Sequence, residues 1–225
     1  MYPVTYEADY QRERNRLTTF FRLIVVIPWL IVGYIYAIAQ MVVVVIAWFA
    51  ILILGRFPEG MYNFVGGVLR FLERMNGFMY LQTDEWPPFG IGEDQSYPIR
   101  INFHPPAGRQ SRIKTLFRII LAFPLLVLSY AMSYAMLAIA SISWLTIVFR
   151  GYQPAAIHNA LAFLMGWNTR ATAYMYLMRD EYPPVGDETP VEIDPPAGAL
   201  ETGGGAPLDP APSYTEEQSP PPPAQ

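Results

Sequence analysis

From Leu23 to Gly55 the chain carries no charged residue, and from Ile119 to Phe149 it again carries none. Each run exceeds the ~20 residues that take a helix across a hydrocarbon core. Charged side chains make up 15% of the chain and apolar ones 52%, whereas an average soluble domain is roughly 25% charged. The runs therefore predict an integral membrane protein. A secretory signal peptide explains the first run poorly, because the segment before it is long and mixed in charge. The absence of cysteine excludes disulfides, thiolate metal sites and catalytic thiols.

A second feature divides the chain. Shifted by 96 positions, the sequence aligns with itself without gaps from Arg16 to Gly90. Arg16, Thr19, Phe21 and Arg22 fall on Arg112, Thr115, Phe117 and Arg118; Pro28, Trp48 and Pro58 fall on Pro124, Trp144 and Pro154. The closing phrase "FMYLQTDEWPPFG" recurs as "YMYLMRDEYPPVG". Shared greasiness does not align prolines, tryptophans and arginines in one frame, so the halves are a tandem duplication. The expected units are 1–90, 91–186 and a tail over 187–225. All the basic residues lie at or before Arg179, giving a net charge of +4 before the tail, and the tail holds eight acids and no base. Its Pro-, Gly- and acid-rich composition predicts disorder.

Each repeat reads as the same series of elements, a mainly α membrane fold. Tyr2, Val4, Tyr6 and Ala8 alternate with Thr5, Glu7 and Asp9, and Tyr97, Ile99, Ile101 and Phe103 alternate with Arg100 and Asn102. A period of two predicts a short half-buried strand in each copy, and the two strands could pair on the membrane surface. As a single helix, the first apolar run would be about 50 Å long, too long for a ~30 Å core. A helical hairpin is therefore expected over about 16–55, turning near Tyr34–Gln40, and again over about 112–150, turning near Tyr130–Tyr134. Pro28 and Pro124 should kink the first arm of each pair. The flanks are Arg-rich and the tips uncharged. The positive-inside rule then gives four passes with both termini cytoplasmic, against a competing picture of re-entrant hairpins. Amphipathic helices should follow over about 58–82 and 154–178. In the first, Phe64, Val65, Val68 and Leu72 form a greasy face suited to the interface or to the bundle, while Arg70, Glu73 and Arg74 take other faces.

The stretch "RLTTFFRLIVVIPWLIVGYIYAIAQMVVVVIAWFAILILGRFPEG", followed by "GVLRFLERMNGFMYLQTDEWPPF", resembles a bacterial membrane family called domain of unknown function 4389. The resemblance is close over 2–90 and looser over 97–186, where "FRGYQP" replaces "LGRFP". It implies membrane residence and carries no reaction or catalytic residue.

Catalytic constellations are not evident. The two histidines, His104 and His158, occupy non-equivalent positions of the repeat, and no phosphate loop, dinucleotide fingerprint or nucleophile elbow occurs. No catalytic, metal or cofactor-binding residue is expected, and neither a cofactor nor a nucleic-acid partner. Asp84–Glu85 and Asp180–Glu181 read as helix-end turns before Pro-Pro. Arg16, Arg22, Arg56, Arg112, Arg118 and Arg150 flank the runs and are the candidate contacts for lipid headgroups or a partner. The expected function is a non-enzymatic scaffold or accessory subunit of the bacterial inner membrane, binding membrane proteins, itself or anionic lipid. A membrane-shaping hairpin protein is the alternative, and a small transporter or channel component the more distant one.

Overall fold

In the computed structural model, which describes residues 2–106 and 108–186, the alternating segments form the expected strands. β1 (Val4–Ala8) and β2 (Ile99–Phe103) pair antiparallel, with Val4 opposite Phe103 and Ala8 opposite Ile99. Val4, Tyr6, Ile99, Ile101 and Phe103 face inward and are buried. On the other face Arg100 pairs with Glu7 and Asp9. The acidic tail over 187–225 lies outside the described residues.

The long apolar runs depart from expectation. α1 (Arg16–Val25) starts at an Asn15 cap, whose side chain accepts from the Leu17 and Thr18 N–H groups. Only Val26 separates α1 from α2 (Ile27–Leu54), and its dihedrals stay right-handed helical, φ −74° and ψ −11°. Pro28 falls in the first turn of α2, where a missing N–H costs nothing. In the second copy α4 (Arg112–Leu116) leads through Phe117 into α5 (Arg118–Arg150), which contains Pro124. Both α2 and α5 run unbroken through Tyr34–Gln40 and Tyr130–Tyr134, so the expected hairpin turns, and the four passes built on them, are corrected. Neither tip contains a proline or a glycine to stop a helix, and along both helices one stripe has a partner to pack on.

The real turns come later. Gly55 (φ 72°) and Gly151 (φ 81°) end the long helices in the left-handed conformation. Pro58 and Pro154 then cap α3 (Glu59–Met79) and α6 (Ala155–Met175). α3 returns antiparallel along α2: a Cβ on Gly33 would meet Leu72 Cδ2 at 3.3 Å, and Gln40 Nε2 donates to the Val65 carbonyl at 3.1 Å. α6 returns along α5 in the same way, where Leu125 packs with Trp167, Ala171 and Tyr174. Each repeat is thus a hairpin whose second arm is the helix expected to lie in the interface. Both helices are internal instead, because β2 and the 91–97 loop cover the far side of α3 and β1 covers that of α6. Arg70 donates to the Ile101 carbonyl and pairs with Glu93, and Arg74 donates to the Gly92 and Asp94 carbonyls.

Three layers result. The outer helices α1, α2, α4 and α5 form one layer, α3 and α6 lie side by side in the middle, and the sheet with its loops forms the third. The repeats interleave within it. α1 packs on the end of α5 and α4 on the end of α2, while β1 crosses over α6 and β2 over α3. The first long helix starts beside the finish of the second, so the two run antiparallel.

Close approach of the middle and third layers depends on small residues. A Cβ on Gly67 would sit 2.7 Å from the Ile91 carbonyl oxygen and 3.1 Å from Ile91 Cβ, whereas Gly60 has nothing within 4 Å. Gly67→Ala is expected to destabilise the fold by about 1–3 kcal/mol, as overpacking does. Gly60→Ala should be neutral or stabilise by up to ~1 kcal/mol through helix propensity. Denaturant unfolding in mild detergent reads both.

Candidate functional site

The outward side of the helical layer is predominantly apolar between the basic residues at its ends. Among the described residues, every exposed large apolar side chain belongs to α1, α2, α4, α5 and the junctions between them, or to the two Pro-Pro turns at Trp86, Phe89, Tyr182 and Val185. None belongs to α3, α6 or the strands. α2 and α5 are each long and apolar enough to cross a membrane, and only 17% of their most apolar windows is buried. A face of this extent marks a surface that contacts lipid or another protein.

The six arginines separate into two kinds. Arg16, Arg56, Arg112 and Arg150 are exposed. The Arg112 guanidinium packs over Gly55 and donates to the Ile53 carbonyl at 2.8 Å, meeting the negative end of the α2 dipole. Arg16 packs over Gly151 in the equivalent way, with its Nε 2.9 Å from where a Cβ would be. Arg16 is thereby brought to Arg150 at the end of α5, and Arg112 to Arg56 at the end of α2. Because the helices are antiparallel, the two basic clusters lie at opposite ends of the apolar layer.

Arg22 and Arg118 are buried, 2% and 3% exposed. Arg22 pairs with Asp84, donates to the Phe78 and Thr83 carbonyls and stacks 4.3 Å from the Phe78 ring. Arg118 donates to the Arg179 carbonyl and stacks 4.0 Å from the Tyr174 ring, but its Nη2 reaches Asp180 only at 3.4 Å. Both aspartates also accept a backbone N–H at the start of a helix, Asp84 from Asn15 at 2.8 Å and Asp180 from Ser111 at 2.6 Å. The repeated Asp-Glu phrase therefore ties the end of each hairpin to its beginning.

Two grooves lie where one repeat meets the other, at equivalent positions. One, of about 370 Å³, is lined by Val44, Trp48, Phe49 and Ile119, with Leu177 and Arg118. Its counterpart of about 490 Å³ is lined by Ala140, Trp144, Leu145 and Leu23, with Leu81 and Arg22. Among the described residues, Leu81 and Leu177 are the non-glycine residues with positive φ, 66° and 65°. A left-handed leucine is costly and persists where its surroundings hold it, here as a buried wall of each groove. The tryptophans donate across the repeats, Trp48 to the Thr115 carbonyl at 2.9 Å and Trp144 to the Thr19 carbonyl at 3.2 Å.

The α3 face expected to be interfacial is turned inward: Val65 and Val68 are fully buried, Phe64 and Leu72 partly so. Glu73, read from the sequence as rim, is buried and lines a third, polar cavity of about 160 Å³. The available signal was its stripe: Leu69, Glu73, Asn76 and Tyr80 recur at steps of three and four and share one side of α3.

The two ion pairs differ in closeness, which predicts graded losses. Asp84→Asn should cost about 3 kcal/mol, the lower end of the range for stranding a buried charge. Asp180→Asn should cost distinctly less, and equal losses in denaturant unfolding would contradict this ordering.

Searches among curated proteins and among solved structures found no match. Residues 16–90 and 112–185 each match the family model described as Domain of unknown function (DUF4389). The interleaved hairpins with their reciprocal arginine ties are thus two copies of one domain, and the chain belongs to the DUF4389 family.

Proposed function

We propose that the protein is a non-enzymatic scaffold or accessory subunit of the bacterial inner membrane, anchored in the cytoplasmic leaflet by its helical layer. The observation that carries this reading is one-sidedness. Apart from the two Pro-Pro turns, the exposed large apolar side chains lie on one layer, and the charged sheet face with Glu7, Asp9 and Arg100 lies on the opposite one. Were α2 to cross the bilayer, α3 and the sheet packed along it would carry that polar face into hydrocarbon, at several kcal/mol per unsatisfied group. The basic clusters support the same orientation. Spanning antiparallel helices would place one cluster on each side of the membrane, against the positive-inside rule, whereas helices lying in the interface bring both to the headgroups of one leaflet. The polar face is left to meet protein partners.

A membrane-shaping role is favoured by the same asymmetry, since a helical layer in one leaflet expands that leaflet alone. Tubulation of liposomes by the purified protein tests it.

Orientation is tested with single cysteines, which the cysteine-free chain makes clean. Glu59→Cys follows α2, and Glu13→Cys lies beside the end of α5, bridged to Tyr152. An impermeant maleimide should label both from the same side of sealed vesicles; labelling from opposite sides would overturn the single-leaflet reading. Headgroup contact is tested separately with Arg56→Gln plus Arg112→Gln. At ~1 kcal/mol for each basic residue near an anionic surface, the pair should weaken partitioning onto phosphatidylglycerol vesicles about 30-fold and leave zwitterionic vesicles unaffected.

A further inference from the structure

The cavity beneath Glu73 lies between the repeats. Glu73 and Asn76 come from α3, Met165 and Asn168 from α6, and Ser133 and Met136 from α5, with Tyr80 at the end of α3. Glu73 is 4% exposed. Its carboxyl is hydrogen-bonded to the Thr169 hydroxyl, and that hydroxyl donates onward to the Met165 carbonyl at 2.9 Å. The Thr169 contact favours the ionised carboxyl, and burial outweighs it. Burial pushes the carboxyl up to about 7. The titratable groups that face it are Tyr6 of β1, Tyr80 and Tyr176, all neutral near that pH. Among the described residues no Lys or Arg lies close enough to offset its charge.

A buried carboxylate without a counter-charge is expensive, yet this one borders a cavity whose lining is mainly polar, with Asn76, Asn168, Ser133 and Tyr80 beside Met136 and Met165. The cavity's volume corresponds to roughly five waters at ~30 Å³ each. We propose that it is a binding site for a monovalent cation, either an alkali-metal ion or a primary ammonium group. The ligands are the Glu73 carboxylate and the side-chain oxygens of Asn76, Asn168, Ser133 and Tyr80. Carboxylate, amide and hydroxyl oxygens are hard donors that suit such ions. One carboxylate balances one positive charge; a divalent ion would leave an uncompensated charge in the interior.

The sign of the pH effect follows. The folded protein holds the Glu73 proton more tightly than the unfolded chain, so stability falls as pH rises from about 4.5 through about 7. A bound cation restores that loss above pH 7 and does nothing at pH 5.

The test is thermal unfolding of the full chain in mild detergent at pH 8 and pH 5, in equal concentrations of NaCl, KCl, ethanolamine hydrochloride or N-methyl-D-glucamine chloride, whose cation is too large for the cavity. At pH 8 one or more of the first three should raise the melting temperature by about 5 °C over the last. A response to the alkali salts alone identifies an inorganic ion, and a response to ethanolamine alone identifies an amine. The rise should vanish in Glu73→Gln. In Asn168→Leu, which installs the residue found at the equivalent Leu72, the midpoint concentration should increase about tenfold. Identical melting in all four salts overturns the proposal, as does an equal rise in Glu73→Gln. Should Glu73→Gln fail to fold, an unchanged midpoint in Asn168→Leu overturns it.

Discussion

An α-helix ends with carbonyls that have no partner inside it, and on each long apolar helix the other repeat supplies the donors. The Gly55 carbonyl accepts the Gln110 N–H at 3.0 Å while Arg112 takes Ile53, and the Gly151 carbonyl accepts the Arg14 N–H at 3.0 Å. Everything else hangs on this exchange. It sets the two long helices antiparallel, draws β1 across α6 and β2 across α3, and stacks Arg16 and Arg112 on left-handed glycines, where a side chain would be strained and, at Gly151, would press on Arg16. Arg14 extends the tie, donating to the Gln82 carbonyl at 2.8 Å and to the Gln153 side chain at 3.1 Å.

Much of the framework was legible in the sequence. The 96-residue frame locates both copies, and the period of two at Val4–Ala8 and Ile99–Phe103 is the sheet itself, because alternation is a local consequence of one buried face. What sequence periodicity does not carry is which surface an apolar stripe meets. Phe64, Val65, Val68 and Leu72 form the same stripe whether they face lipid or Gly33 on a neighbouring helix. Bilayer thickness alone places hairpin turns at Tyr34–Gln40 and Tyr130–Tyr134. That argument applies only to a helix standing upright, and Gly55–Pro58 offered stronger turn chemistry all along.

The candidate site was legible in part for a related reason. Arg22 and Arg118 looked like their exposed neighbours because charge says nothing about burial; only their repeated spacing from Asp84 and Asp180 distinguishes them. Glu73 sat among Arg70 and Arg74 in an apparently solvated row. All three are interior, Arg74 because the 91–97 loop folds its carbonyls over it, Arg70 because β2 and Glu93 cover it, and the glutamate because it points the other way, between the repeats.

Glu73 and Thr169 stand at the same position of the two copies and touch each other, so the axis relating the repeats passes between them. Two separate single-repeat chains assembled in this interleaved manner would have to present identical residues there, glutamate against glutamate or threonine against threonine. The first repels itself and the second carries no charge. Joining the copies in one polypeptide removes that restriction and lets a single acid occupy the dyad. Duplication here does more than tether two halves, for it permits a centre that no symmetric pair could build.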